Sequence, residues 1–96
     1  MITIIATVCV KNGNMEKAIK FLKEIVPQVR ENEPGCFEFV PHTVKGKKFE
    51  NKIIIYEKYA NEEAYMTHLG NLGRIMEDFI LLLEEDMDLL RLQSCI

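Results

Sequence analysis

Residues 2–10 read Ile-Thr-Ile-Ile-Ala-Thr-Val-Cys-Val, and this run constrains the fold more than any other part of the chain. Its β-branched content and two-residue alternation predict a strand. Ile2, Ile4, Ala6, Val8 and Val10 share one face, while Thr3, Ile5, Thr7 and Cys9 share the other. Neither face is strongly polar. A sheet built around such a strand needs a cover on each side, and one layer of helices supplies only one.

The patterns that follow supply the rest of the sheet. Asn12-Gly13-Asn14 ends the strand, and Asn14 is placed to cap a helix in which Met15, Ala18, Ile19, Leu22, Ile25, Val26 and Val29 recur at helical spacing. Pro27 lacks a backbone donor, which predicts a kink or a ragged last turn. Asn32-Glu33-Pro34-Gly35 turns the chain into a second strand over 36–44, with Phe37 and Phe39 on one face and Glu38, Val40 and His42 on the other. Pro41 points to an edge position or a bulge in that strand. Residues 45–51 are polar, contain Gly46 and predict a hairpin loop before a third strand over 52–59. Asn61 caps a short helix with Glu62 and Glu63 in its first turn, where acids suit the helix dipole. Gly70-Asn71 and Gly73 are expected to interrupt it. A third helical run then carries Leu72, Ile75, Met76, Phe79, Ile80 and Leu83 inward, with Glu84-Glu85-Asp86 near its end. Residues 87–96 return to strand, with Leu89 and Arg91 opposed to Leu90 and Leu92.

The order strand, helix, strand, strand, helices, strand defines an α+β fold of the ferredoxin-like, split β-α-β kind. Right-handed crossovers place the helices on one face of a four-stranded antiparallel sheet. Residues 1–96 make a single domain, which buries only about 60–70% of its unfolded surface. The opposite sheet face stays open and apolar, too large a patch for a comfortable monomer. Packing two copies through their open faces covers it, so the expected assembly is a homodimer.

Composition excludes several classes of function. The net charge is −3 and the only basic cluster is Lys45, Lys47 and Lys48, which argues against a nucleic-acid partner. No apolar run approaches the ~20 residues of a membrane span. Cys9, Cys36 and Cys95 are odd in number, widely spaced and without a Cys-x-x-Cys pair, so no metal site is expected and each cysteine reads as a small buried hydrophobe. With no signal peptide, that set fits a cytoplasmic protein. No Gly-rich dinucleotide motif, phosphate loop or serine nucleophile elbow occurs.

Three segments carry a resemblance to a known family: the Ile/Val-rich first strand, Pro34-Gly35-Cys36-Phe37, and the stretch from Tyr56-Glu57-Lys58-Tyr59 to His68-Leu69. In this order they resemble the antibiotic biosynthesis monooxygenase (ABM) family, and the resemblance covers nearly the whole chain. It implies a dimeric α/β barrel that oxidises a small apolar or aromatic molecule, such as a quinol, with dioxygen and no cofactor. The family also holds quinol oxidases, haem-degrading enzymes, an isomerase and proteins without an assigned role. A non-oxidative isomerase or a non-catalytic ligand-binding dimer of the same fold therefore stays open. Many relatives place tryptophan where Tyr59 stands. Haem-degrading relatives need an asparagine in strand one, where this chain offers Thr3 and Thr7, and a histidine on the long helical segment rather than the early one that carries His68.

His68 is the expected catalytic base, because imidazole exchanges protons near neutral pH and oxygenation without a cofactor starts by deprotonating the substrate. Packing between helix and sheet is the plainer role for the same ring. Tyr56, Tyr59 and Tyr65 combine a flat apolar body with a hydroxyl, and are the expected substrate-binding residues unless they serve as core. Arg91 either binds an anionic substrate or pairs with Glu57 across the sheet. His42 is expected at a rim.

Overall fold

A computed structural model gives the structure of residues 1–96. Strand β1 (Ile2–Val10) leads to helix α1 (Met15–Asn32), then β2 (Cys36–Thr43), a 3₁₀ turn (Lys47–Phe49), β3 (Lys52–Tyr59), α2 (Glu62–Ile75), the short α3 (Glu77–Ile80) and β4 (Leu83–Leu92). The sheet order is β2-β3-β1-β4 and every pairing is antiparallel. The expected ferredoxin-like α+β fold is the fold found.

Alternation along the two central strands decides where the core lies. Ile2, Ile4, Ala6, Val8 and Val10 are buried, as are Ile53, Ile55, Glu57 and Tyr59 on β3. These side chains meet Ala18, Leu22, Ile25 and Val29 of α1, Tyr65 of α2 and Phe79 of α3 in one apolar core. The Phe21 and Phe79 rings stack at 5.5 Å between centroids and tie α1 to α3. Thr3, Ile5, Thr7 and Cys9 face the open side and are only partly covered.

Several local expectations are corrected. Gly70 and Gly73 do not interrupt α2, which runs unbroken from Glu62 to Ile75. A Cβ added at either glycine would meet nothing within 4 Å, so both lie where they cost helix propensity but create no break. Asn61 caps α2 as expected, its side chain accepting from Ala64 N at 2.9 Å. Asn14 makes no such bond to α1. Glu84-Glu85-Asp86 belongs to β4 rather than to a helix. As an edge strand, β4 exposes these charges to water, which deters edge-to-edge pairing. Phe37 does not share a face with Phe39. A bulge between Cys36 and Glu38 leaves Phe37 53% exposed and turns Cys36 inward beside Phe39. Cys95 is exposed, unlike Cys36.

Gly35 marks a close approach of backbone to helix. Its carbonyl accepts from Ala60 N at 2.9 Å, and a Cβ placed there would lie 2.6 Å from the Cβ of Ala64. That Cβ is fixed to the first turn of α2, so relief requires moving the helix that carries His68. Gly35→Ala is expected to destabilise the protein by about 1–3 kcal/mol, read as a lower thermal midpoint. An unchanged midpoint would show that α2 shifts freely.

Candidate active site

Four polar side chains converge beneath α2. His68 lies on the inward stripe of that helix, one turn after Tyr65, and is fully buried. Its ring packs against Phe39 and Tyr59, each 5.0 Å away between centroids. Nδ1 lies 2.8 Å from Oε1 of Glu33, in the turn after α1. Nε2 points to the other side, 3.7 Å from Oε1 of Glu57, and has no hydrogen-bond partner. An ionised carboxylate can only accept, so Nδ1 carries the proton toward Glu33 and Nε2 presents a bare lone pair.

Glu57 stands on β3 because its position is in phase with Ile53 and Ile55, which puts its side chain in the core layer. The Tyr59 hydroxyl, two residues on along the same face, donates to Glu57 Oε1 at 2.5 Å. Burial pushes the Glu57 carboxyl above its ordinary value, opposed by the Tyr59 hydrogen bond and reinforced by Glu33 nearby. Burial holds His68 below its ordinary value, with Glu33 pulling the other way; the ring is neutral at physiological pH. The Tyr59 hydroxyl is raised, first by burial and then by Glu57. Cys36, beside this cluster, is pushed up to about 11, chiefly by burial. It is therefore an inert thiol rather than a nucleophile.

Above Glu57 opens a cavity of about 230 Å³ between the sheet and the helices α2 and α3. Thirteen of its fifteen lining residues are hydrophobic, and Glu57 is the one carboxylate among them. A cavity of about 150 Å³ holds a benzene ring, so this one has room for a molecule of one or two rings. Tyr65 and Phe39 line it beside Glu57, and Met87 and Leu89 of β4 form its outer wall. A second cavity, about 340 Å³, lies between α1 and the end of β2, with Pro27, Pro41 and His42 in its wall. It is larger, but its histidine is exposed and no buried polar side chain faces it.

The structure brings together His68, Tyr59 and Tyr65 of the expected residues, in different roles. Tyr65 lines the cavity; Tyr59 is fully buried and supports Glu57 from behind. His68 lies one layer beneath the wall. Tyr56 is on the opposite sheet face, between Ile5 and Val40, with the Lys58 ammonium 5.9 Å from its ring centroid. Arg91 does not pair with Glu57. Both stand opposite Ile4, on β4 and β3 respectively, so two strand spacings of about 4.8 Å separate them. Arg91 instead forms a two-pronged ion pair with Glu62 at the start of α2, one contact being 3.0 Å. This pair is exposed and holds the guanidinium at the sheet edge. Glu33 was not among the expected residues. It lies 35 positions from His68 in sequence, in what reads locally as a plain turn. No group of three or more His, Cys, Asp and Glu side chains is arranged to hold a metal ion, and no helix is long and apolar enough to cross a membrane.

Known proteins share this arrangement of chain. A structure from Caulobacter crescentus, provisionally named an antibiotic biosynthesis monooxygenase, superposes with a TM-score of 0.85 at 21% identity, over 99% of this chain and 90% of that one. One from Bacteroides thetaiotaomicron with the same provisional name gives 0.81 at 22% identity, over 99% and 90%. One from Nitrosomonas europaea, named likewise, gives 0.81 at 16% identity over the whole of both chains. At these identities the likeness speaks for the fold alone. No curated protein matches the chain. The profile of the family described as antibiotic biosynthesis monooxygenase matches residues 1–73, from β1 almost to the end of α2. The chain is thus a member of the antibiotic biosynthesis monooxygenase family.

Proposed function

We propose that this protein is a cofactor-independent monooxygenase that oxidises a small phenol or quinol bound in the 230 Å³ cavity. The observation that carries the reading is one carboxylate, Glu57, in the wall of an otherwise apolar cavity, with the neutral ring of His68 behind it. An aromatic substrate buries its ring against Phe39 and Leu89. Tyr65 orients the substrate oxygen, while Glu57 and His68 together form the base. Arg91, held by Glu62 at the edge of the sheet, is not among the residues that line the cavity and has no part in this reading. The deprotonated ring gives electrons to dioxygen; one oxygen atom enters the product and the other leaves as water. The substrate supplies both electrons and both hydrogens of that water, so no external reductant is needed.

The test is oxygen uptake with product mass over a panel of hydroquinones, anthrones and polyphenols. Products that gain one oxygen and lose two hydrogens, formed in air but not under nitrogen, are expected. Oxidation without insertion would make the protein a quinol oxidase. Anaerobic conversion would make it an isomerase, and binding without conversion a ligand-binding protein.

The assembly that fits this reading is a homodimer through the open sheet face, in a reducing cytosol where the three cysteines stay thiols. Ile5, Ile54 and Tyr56 lie on that face, and Leu90 and Leu92 beside them are 60% and 46% exposed. Light scattering at micromolar concentration is expected to give twice the chain mass. A monomer there would refute the dimer.

A further inference from the structure

Glu33, His68 and Glu57 span the protein from one side of α2 to the other. At the inner end, Glu57 borders the apolar cavity. At the outer end, Glu33, itself only 5% exposed, borders two pockets that open to the surface, one of about 390 Å³ shared with Asn71 and Arg74, the other of about 240 Å³ shared with Gly35, Asn61 and Thr67. Between them His68 has no exposure, and its two ring nitrogens face the two carboxylates. A buried nitrogen without a hydrogen bond is costly unless it has a use. Nε2 is such an atom, aimed at the one carboxylate of the cavity.

Resting on the proposed oxygenase reading, we propose that Glu33, His68 and Glu57 form a proton path, with Glu57 as its cavity end and Glu33 as its solvent end. Each proton is accounted for. Glu57 takes the substrate proton and passes it to the Nε2 lone pair. The Nδ1 proton moves to Glu33, which releases it to water. The ring returns to its first tautomer by the reverse shift: a proton from water reaches Nδ1 through Glu33, the Nε2 proton passes to Glu57, and Glu57 gives it to the reduced oxygen that leaves as water, which restores Glu57 as the base. The groups around the path are consistent with this traffic. Tyr59 on β3 donates to Glu57, Cys36 on β2 stays protonated, and Tyr65 on α2 is also raised by burial. Arg30 on α1 is near enough to act on Cys36. Burial keeps the His68 ring neutral, as a relay that hands a proton on must be. Glu33 is a positioning and transfer residue here, since it acts through His68 and does not reach the cavity.

The test is the rate at which the His68 Nδ1 proton exchanges with solvent in the ligand-free protein, measured by NMR for wild type and Glu33→Gln. The glutamine carbonyl still accepts the Nδ1 hydrogen bond but cannot take the proton. A path through Glu33 predicts that wild-type exchange outpaces that of the α2 backbone amides, which need local opening, and that Glu33→Gln slows it by at least about tenfold. A purely structural Glu33 predicts the opposite sign, because a weaker contact loosens the ring and speeds exchange. Unchanged or faster exchange in Glu33→Gln would overturn the path. If that variant does not fold, wild-type exchange no faster than the α2 amides overturns it equally. Neither measurement needs turnover. A path found in a protein that oxidises nothing would sink the oxygenase reading and leave the path standing.

Discussion

Glu57→Gln is expected to slow turnover by about 10²–10⁴-fold, the usual worth of a positioned acid or base, with the fold intact. Glutamine keeps the shape of the side chain and an oxygen to accept from the Tyr59 hydroxyl. It loses only the ability to take a proton in the cavity wall. The same variant is expected to be at least as stable as wild type, because a carboxylate on an apolar strand is a burden to folding. Its pH dependence follows from the raised carboxyl. Between the ordinary value of 4.5 and the higher folded value, the unfolded chain has already lost a proton that the folded chain keeps. Wild-type stability attributable to Glu57 therefore falls as pH rises through that window. The thermal midpoints of the two proteins are expected to agree best in acid and to separate in favour of Glu57→Gln toward neutrality. A constant gap would mean that Glu57 is no harder to ionise in the fold than outside it. Full activity in the variant would remove Glu57 from the chemistry.

The elements that place this site were legible wherever one residue's neighbours in sequence are also its neighbours in space. Strand β1 shows its two faces in nine residues, and the Asn61 cap shows the start of α2. The same local logic failed where a tertiary partner outweighs it. Gly70 and Gly73 read as breakers, yet the packing of Tyr65 and His68 against the core carries the helix through both. Phe37 read as a core partner of Phe39, and a one-residue bulge reversed it. Within the site, Glu57 was recognisable as an odd charge on an apolar strand, but its partner was not. The sheet order puts β1 between β3 and β4, which rules out Arg91 as its partner. The link from Glu33 to His68 crosses from the turn after α1 to the middle of α2, and no periodicity reports a contact of that kind.

His68→Ala is expected to reduce turnover by about 10²–10⁴-fold, and to destabilise the fold as well. The ring is fully buried between Phe39 and Tyr59, so truncation opens a cavity and leaves the Glu33 carboxylate without its donor. Together these cost about 2–4 kcal/mol, or roughly 8–30 °C in the thermal midpoint of a domain this small. Activity must accordingly be compared at a temperature where both proteins are folded. Acid provides the check on the cause. Because His68 titrates below its ordinary value of 6.5 in the fold, the unfolded chain takes up a proton in that window that the folded chain refuses. Wild type thus loses stability as pH falls below 6.5, and the alanine variant, having no imidazole there, does not. The stability gap between the two is expected to narrow on acidification. If it widens instead, the folded ring carries a charge between its two carboxylates, and it is a salt-bridged cation rather than the neutral base the site requires.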